Sequence, residues 1–305
     1  MNFAYCIDDN FNVQCAVSIH SLLKNVKNKI SIHILHSTPS TFEKYLERLK
    51  KHKNCKEIIL YPVNSERYKF PNLNNSHVSS ATYFRLFLED FLNEKEEIIY
   101  LDADTIVLND PTDLITNQIL DMQSGLHYFG ASIETNKQLS QDIFERLELS
   151  GKNYFNAGVM IFDFRNPKLR NLSEELLVLT QKIKDKIKQW DQDVLNKYFD
   201  NNFFNIDENL NFRLYDHGNL PNQDVKILHY LGSTKPWTFE GLKINNSKFY
   251  QDNYKELFNK SLYHVNSKWK KKTYLELLIY VISLKIFRHK DPFKIFLSTI
   301  KLKKN

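Results

Sequence analysis

The residues best suited to chemistry are Asp102 and Asp104, in the run YLDADTIVLNDP at 100–111. They follow Ile98, Ile99, Tyr100 and Leu101, an apolar stretch that reads as a strand. In an extended segment, residues two apart point to one side, so the two carboxylates are expected to converge at a sheet edge. Like charges held that close repel unless a cation sits between them. For an all-oxygen site that cation is a divalent metal of the magnesium or manganese type. A bare pair at this spacing is more often an acidic turn after a strand, so the rest of the chain must decide.

The elements that position the pair follow from periodicity. Phe3 to Ile7, Ile30 to Leu35 and Glu57 to Val63 read as strands. Val13 to Leu23 and Thr38 to Lys51 between them have helical spacing. This alternation predicts an α/β fold with a mostly parallel sheet flanked by helices. Ser79 to Phe91 follows as a helix, and Glu97 to Leu101 is the strand that delivers the acids. Ligands of open α/β sheets bind at the C-terminal ends of strands. Asp8 and Asp9 end the first strand, and Asp102 and Asp104 end the fourth. Further on, Phe129 to Ile133, Gly158 to Asp163 and Lys226 to Tyr230 read as strands. Ser173 to Lys188 and Asp191 to Phe199 read as helices, the second N-capped by Asp191. Linker-like composition appears only around 240–250. The expected organisation is one catalytic domain over 1–265 and a helical basic tail over 266–305.

Composition narrows the classes. The chain of 305 residues is long enough for a sizeable core. It has only 7 Gly and no phosphate-cradling glycine loop, so any nucleotide phosphates fall to metal and cationic side chains. Cys6, Cys15 and Cys55 lack metal-site or disulfide spacing and fit a reducing compartment. No basic-then-apolar leader and no long apolar run is visible, so neither secretion nor a membrane span is expected. Residues 268–305 hold eleven Lys or Arg against two acids, a net +9, and residues 1–267 hold 31 basic and 34 acidic residues, a net −3. Nucleic acid is not an expected partner, because such binders are more uniformly basic.

Four segments carry the sharper signal: CIDDNF at 6–11, YLDADTIVLNDP, NYFNAG with DQD at 153–158 and 191–193, and HYLGSTKPW at 229–237. Together, in this order, they resemble the family 8 glycosyltransferases. These retaining enzymes of the GT-A type include bacterial lipopolysaccharide galactosyl- and glucosyltransferases and glycogenin. The resemblance implies a GT-A fold with a single Rossmann-like sheet. It implies that Asp102, Asp104 and His229 hold Mn2+, with Mg2+ as the alternative. Read alone, His229 is a partly buried strand histidine and Lys235 a solvated surface lysine. The resemblance makes Lys235 a neutraliser of the departing diphosphate, and Gly232 a point of close backbone approach. Asp8, Asn10 and Phe11 match a uridine pocket, with Cys6 beside the base; Asp8 to Asn10 also reads as a plain turn. Ile7, Ala103 and Ser233 join the donor-binding set. Arg85 matches an arginine that reaches the donor. Asn156, Ala157, Asp191 and Gln192 match positions lining the donor sugar. Trp237 is expected to pack rather than to hold sugar.

The implied activity is a metal-dependent, retaining transfer of galactose or glucose from a UDP-hexose to a glycan hydroxyl with alpha linkage. The acceptor is lipopolysaccharide, another cell-surface glycan or a lipid-linked oligosaccharide. Gln192 would sit near the anomeric carbon, where retaining glycosidases place a carboxylate nucleophile. Gln is a poor nucleophile, which favours front-face substitution; Asp193 is the backup nucleophile, expected to be structural. A glycogenin-like self-glucosylating enzyme and a non-catalytic sugar-nucleotide or carbohydrate binder are the other readings. The tail, rich in Lys, Ile, Leu and Phe, suits an anionic membrane surface, with two helices packed on the catalytic domain as the alternative. The first option implies a cytoplasmic enzyme, peripheral on the inner face of the cell membrane.

Overall fold

Phe3, Tyr5 and Ile7 lie in one buried apolar cluster and Ala4 in a second. Ile99 and Leu101 join the first, Ile98 and Tyr100 the second. This period-two sorting is what a strand covered on both faces produces. The computed structural model describes residues 1–64, 70–71, 79–93, 96–134, 142–214, 221–266, 271–288 and 291–300. Parts of the basic tail lie outside the described residues.

Strand β1 (Asn2–Ile7) leads through a 3-10 turn (Asp9–Phe11) to α1 (Asn12–Asn25), β2 (Ile30–His36), α2 (Glu43–Leu49) and β3 (Cys55–Pro62). A 3-10 segment (Ser80–Phe87) runs into α3 (Leu88–Leu92), then β4 (Glu97–Leu101), β5 (Thr105–Val107), α4 (Thr112–Ser124) and β6 (Phe129–Ile133). Next come α5 (Asp142–Leu147), β7 (Phe155–Asp163), α6 (Leu172–Lys182), α7 (Trp190–Tyr198), β8 (Phe204–Asn205), β9 (Phe212–Leu214) and β10 (Ile227–Tyr230). Helices α8 (Phe239–Leu242), α9 (Lys248–Phe258), α10 (Lys271–Ile282) and α11 (Pro292–Ile300) follow.

The main sheet has seven strands in the order β3-β2-β1-β4-β7-β6-β8. Strands β3, β2, β1 and β4 run parallel, whereas β7 is antiparallel to both β4 and β6. The order reverses between β1 and β4, so a crevice opens beyond their carboxyl ends, where Asp8 and Asp102 begin the next segments. A second sheet of three strands, β5-β10-β9, was not legible in the sequence. Its register pairs His229 with Thr105 on one side and Arg213 on the other. That pairing sets β10 against the segment that carries the two acids.

Local differences have physical causes. Residues 102–104 form a turn rather than an extended run, closed by Thr105 N–H donating to Asp102 O at 3.2 Å. Helix α7 begins at Trp190 after Gln189, and Asp191 lies inside its first turn instead of capping it. Residues 240–250 are not a linker: they carry α8 and the start of α9. The stretch expected as one helix over 79–91 winds as a 3-10 segment before α3. The helix expected over 38–51 is a 3-10 turn followed by α2, and that expected over 173–188 ends as α6 at Lys182.

Candidate functional site

Tight winding over Ser80–Phe87 eclipses residues three apart, so Thr82 and Arg85 project together. Both reach Asp191: Thr82 donates to Oδ1 at 2.7 Å, and Arg85 Nε lies 2.9 Å from Oδ2. The same buried guanidinium meets Asp102 Oδ1 at 2.8 Å, donates to Ala157 O at 2.7 Å and lies over the Tyr100 ring. Arg85 therefore ties four segments to one point. Burial pushes the Asp191 carboxyl up to about 6, with Arg85 and Thr82 opposing the rise.

Asp102 and Asp104 converge across the turn, and His229 closes the group from β10. One ligand atom from each lies within 4.8 Å of the others. His229 Nε2 is 3.3 Å from Asp104 Oδ1 and 3.8 Å from Asp102 Oδ2. Lys235 Nζ donates to the other Asp104 oxygen at 2.8 Å and to Tyr230 O at 2.5 Å. Burial alone would raise the Asp104 pKa, but the Lys235 ammonium beside it opposes the rise and this carboxyl lies below the usual range.

The donor set fits a divalent cation of the Mn2+ or Mg2+ type. Asp104 Oδ1 is buried without a hydrogen-bond partner, and it faces the imidazole nitrogen. An orphaned carboxylate oxygen is costly unless something cationic completes it. Glycine makes the approach possible. A Cβ on Gly158 would stand 2.1 Å from His229 Cε1, so the ring occupies the volume a side chain would take. Gly232, just beyond β10, has φ of 78°, a conformation that L side chains rarely adopt.

These groups open into a cleft of about 420 Å3, lined by Arg85, Asp102, Asp104, Asn156, Ala157, Asp191, Gln192, His229 and Gly232. Gln192 Oε1 accepts from Ala157 N–H at 3.0 Å, which leaves its second lone pair for a ligand. Asp193 is withdrawn from the cleft. It is fully buried and accepts from Tyr154, Arg146 and the backbone of Lys188 and Gln189. That staple holds the start of α7.

The remaining expected residues flank the cleft without lining it. Asp8 accepts from Asn10 N–H at 2.9 Å and from the Asn10 amide at 3.2 Å, which closes the turn after β1. Phe11 meets the Trp237 ring edge-on at 6.5 Å, so this turn lies beside the segment carrying Lys235. Trp237 is buried against Tyr250, as a packing residue would be. Cys6 packs under the cleft, where burial pushes its thiol pKa up. Ile7 is core, Ala103 packs against the same cluster, and Ser233 is exposed. Sequence reasoning missed Glu134, Tyr154 and Thr82 in the lining, and Asn211 behind His229. Thr82, Glu134 and Asn211 lie outside the four segments, and Tyr154 lies inside NYFNAG among residues read for their neighbours.

Comparison with known proteins identifies relatives of the chain. The Salmonella typhimurium lipopolysaccharide 1,3-galactosyltransferase is 30% identical over 249 residues, covering 77% of this chain and 72% of that one. An Escherichia coli lipopolysaccharide 1,2-glucosyltransferase is 31% identical over 258 residues, covering 77% and 73%. The fold matches the crystal structure of the galactosyltransferase LgtC in complex with donor and acceptor sugar analogues. The TM-score is 0.71 at 21% identity, over 84% of this chain and 96% of that one. The model of glycosyl transferase family 8 matches residues 2–241, so the chain belongs to that family and is a glycosyltransferase.

Proposed function

We propose that the protein is a metal-dependent, retaining hexosyltransferase that moves galactose or glucose from a UDP-hexose to a glycan hydroxyl. The observation that carries this reading is the convergence of Asp102, Asp104 and His229 around an orphaned carboxylate oxygen, between Lys235 and Arg85. These three residues would hold Mn2+ or Mg2+, and the bound ion supplies Lewis-acid stabilisation of the charge that builds on the leaving diphosphate. The relatives named for lipopolysaccharide galactosyl and glucosyl transfer support a hexose donor and a cell-surface or lipid-linked glycan acceptor.

The chain's own residues divide the work. Lys235 adds positive charge beside the phosphates. Asp8, Asn10 and Phe11 receive the uridine, next to Cys6. Arg85 holds Asp191 in place to accept sugar hydroxyls. Gln192 presents its free lone pair to the anomeric carbon and supports an oxocarbenium-like state. Asp193 is sequestered, and Asp191 is held by Thr82 and Arg85, so neither carboxylate serves as the nucleophile on this reading. The acceptor oxygen then bonds to the anomeric carbon on the face from which the phosphate oxygen leaves, and its proton passes to that phosphate. The product keeps the alpha configuration.

The tail adds a location. Leu275, Leu278, Ile279 and Ile282 are each more than half exposed, and their spacing puts them on one face of α10. Phe287 and Phe293 are exposed nearby, with Lys285, Arg288 and Lys294 in the same stretch. No helix among the described residues is long and apolar enough to cross a membrane. An apolar stripe with basic neighbours suits the surface of an anionic leaflet, so on this reading the enzyme works at the cytoplasmic face of the cell membrane.

The test is a screen of UDP-sugars for Mn2+-dependent UDP release, with Asp104→Ala as control. UDP-galactose or UDP-glucose should be turned over, and the variant should lose at least about a hundredfold. No turnover of any UDP-hexose, with no UDP binding, would sink the reading.

A further inference from the structure

We propose that Asn211 is a positioning residue that fixes which ring nitrogen of His229 carries the proton. The inference rests on the reading of His229 as a metal ligand. The backbone N–H of Gly158 can only donate. It lies 3.0 Å from Asn156 Oδ1, so that end of the Asn156 amide is its oxygen. The other end, Nδ2, then faces Glu134 Oε2 at 3.3 Å, and a carboxylate accepts such a donor. The two observations agree on one orientation.

The same Asn156 oxygen lies 3.0 Å from the Asn211 side chain, so the Asn211 atom there must be its nitrogen. The Asn211 oxygen is thereby turned toward His229 Nδ1, at 2.9 Å. An amide oxygen only accepts, so Nδ1 carries the proton. In the neutral ring that leaves Nε2 with its lone pair exposed. Nε2 is the nitrogen facing Asp104 and Asp102. Asn211 is fully buried and His229 nearly so, and both lie on the second sheet's strands or at their edge. Water cannot readily substitute for either bond.

The physical consequence is a ligand set with no hydrogen inside it. Nε2 and Asp104 Oδ1 confront each other as two acceptors, a contact that favours a cation between them. With the proton on Nε2 instead, the ring would donate to Asp104 and oppose metal binding. The Asn156–Asn211 pair therefore selects the metal-competent tautomer before any metal arrives. It also makes Asn156 mainly structural, because three of its amide's hydrogen-bonding positions are taken inside the protein.

The test reads the proton directly. Long-range 15N–1H correlation spectra of the metal-free wild-type protein, with His229 assigned from a His229→Gln spectrum, should show the Nδ1–H pattern. Asn211→Leu should shift that signal toward Nε2–H and weaken Mn2+ binding about 10- to 100-fold by titration calorimetry. Asn211→Asp loses the donor to Asn156 but keeps an acceptor toward His229, and should retain Nδ1–H. An Nε2–H pattern in the wild type overturns the proposal, as does an Asn211→Leu protein with unchanged tautomer and Mn2+ affinity. If Asn211→Leu fails to fold, the wild-type spectrum still decides. An Nδ1–H pattern in a wild-type protein that binds no Mn2+ supports the proposal and overturns the metal reading instead, so the two fail separately.

Discussion

Gly158 and His229 share one volume, and this sets the strictest demand at the level of single residues. Adding one methyl at Gly158 puts it 2.1 Å from the imidazole, so the ring must leave its place. Gly158→Ala should lower Mn2+ affinity about 10- to 100-fold. Stability should fall by about 1–3 kcal/mol, the usual penalty for forcing atoms into a packed site. A Mn2+ titration beside a thermal melt checks both, and wild-type affinity in this variant would contradict the geometry. A glycine inside an apolar strand is itself a sign of close approach, so this contact left a trace in the sequence. Asp102 and Asp104 stood out by their spacing after a strand, whereas His229, Lys235 and Arg85 were singled out only through the family resemblance. Asn211 and Glu134 were not legible, since a lone amide or acid in a plain stretch looks like any surface residue. Only the chain's return past His229 gives them a role.

Between elements, the seam joining α1, the loop after α2, and α9 carries a pH dependence. His20 is buried with its Nδ1 2.9 Å from His52 Nε2, and its other face meets Glu256 at 3.7 Å, beside Lys24. Burial, then His52, lowers the His20 pKa to about 4, with Glu256 opposing and Lys24 adding to the fall; burial lowers His52 as well. A base with a depressed folded pKa takes up its proton more readily when unfolded. Its stability contribution is therefore complete above the ordinary value near 6.5 and is lost as pH falls toward about 4. The loss is about 3 kcal/mol for His20. Urea midpoints measured across that window should fall in the wild type and fall less in His20→Gln; parallel curves would refute the assignment. The alternation of strands and helices was readable in advance, because period-two and helical patterns are local. The turn at 102–104 and the 3-10 winding around Arg85 were not. Each is set by bonds to distant residues: Gly158 O accepts from Asp102 N–H, and Asp191 draws in Thr82 and Arg85.

For the whole molecule, the tail both packs and presents a surface. Leu242, Val265 and Ile295 form a small buried cluster, and Phe239 meets Tyr280 at 5.7 Å, so α10 and α11 are tied to the catalytic part. Removing 268–305 would expose that cluster, which makes point changes the cleaner probe. Leu278→Glu with Ile282→Glu replaces two exposed residues and should leave folding and UDP release intact. Flotation with vesicles containing anionic lipid should drop severalfold, since each change removes apolar contact and adds repulsion. Unchanged flotation would remove the membrane from the reading. The sequence by itself determined the α/β class, the acidic pair and the basic end through local pattern and composition, and the family through the resemblance of four ordered segments. The tertiary structure alone decided that the two acids and His229 enclose an orphaned oxygen, that Asp193 is a staple, and which nitrogen of His229 faces the acids. Those facts depend on residues far apart in the chain being brought within hydrogen-bonding distance: the pairing of β10 with β5 and β9 does so for His229, and the packing of α7 against Tyr154 and Arg146 does so for Asp193.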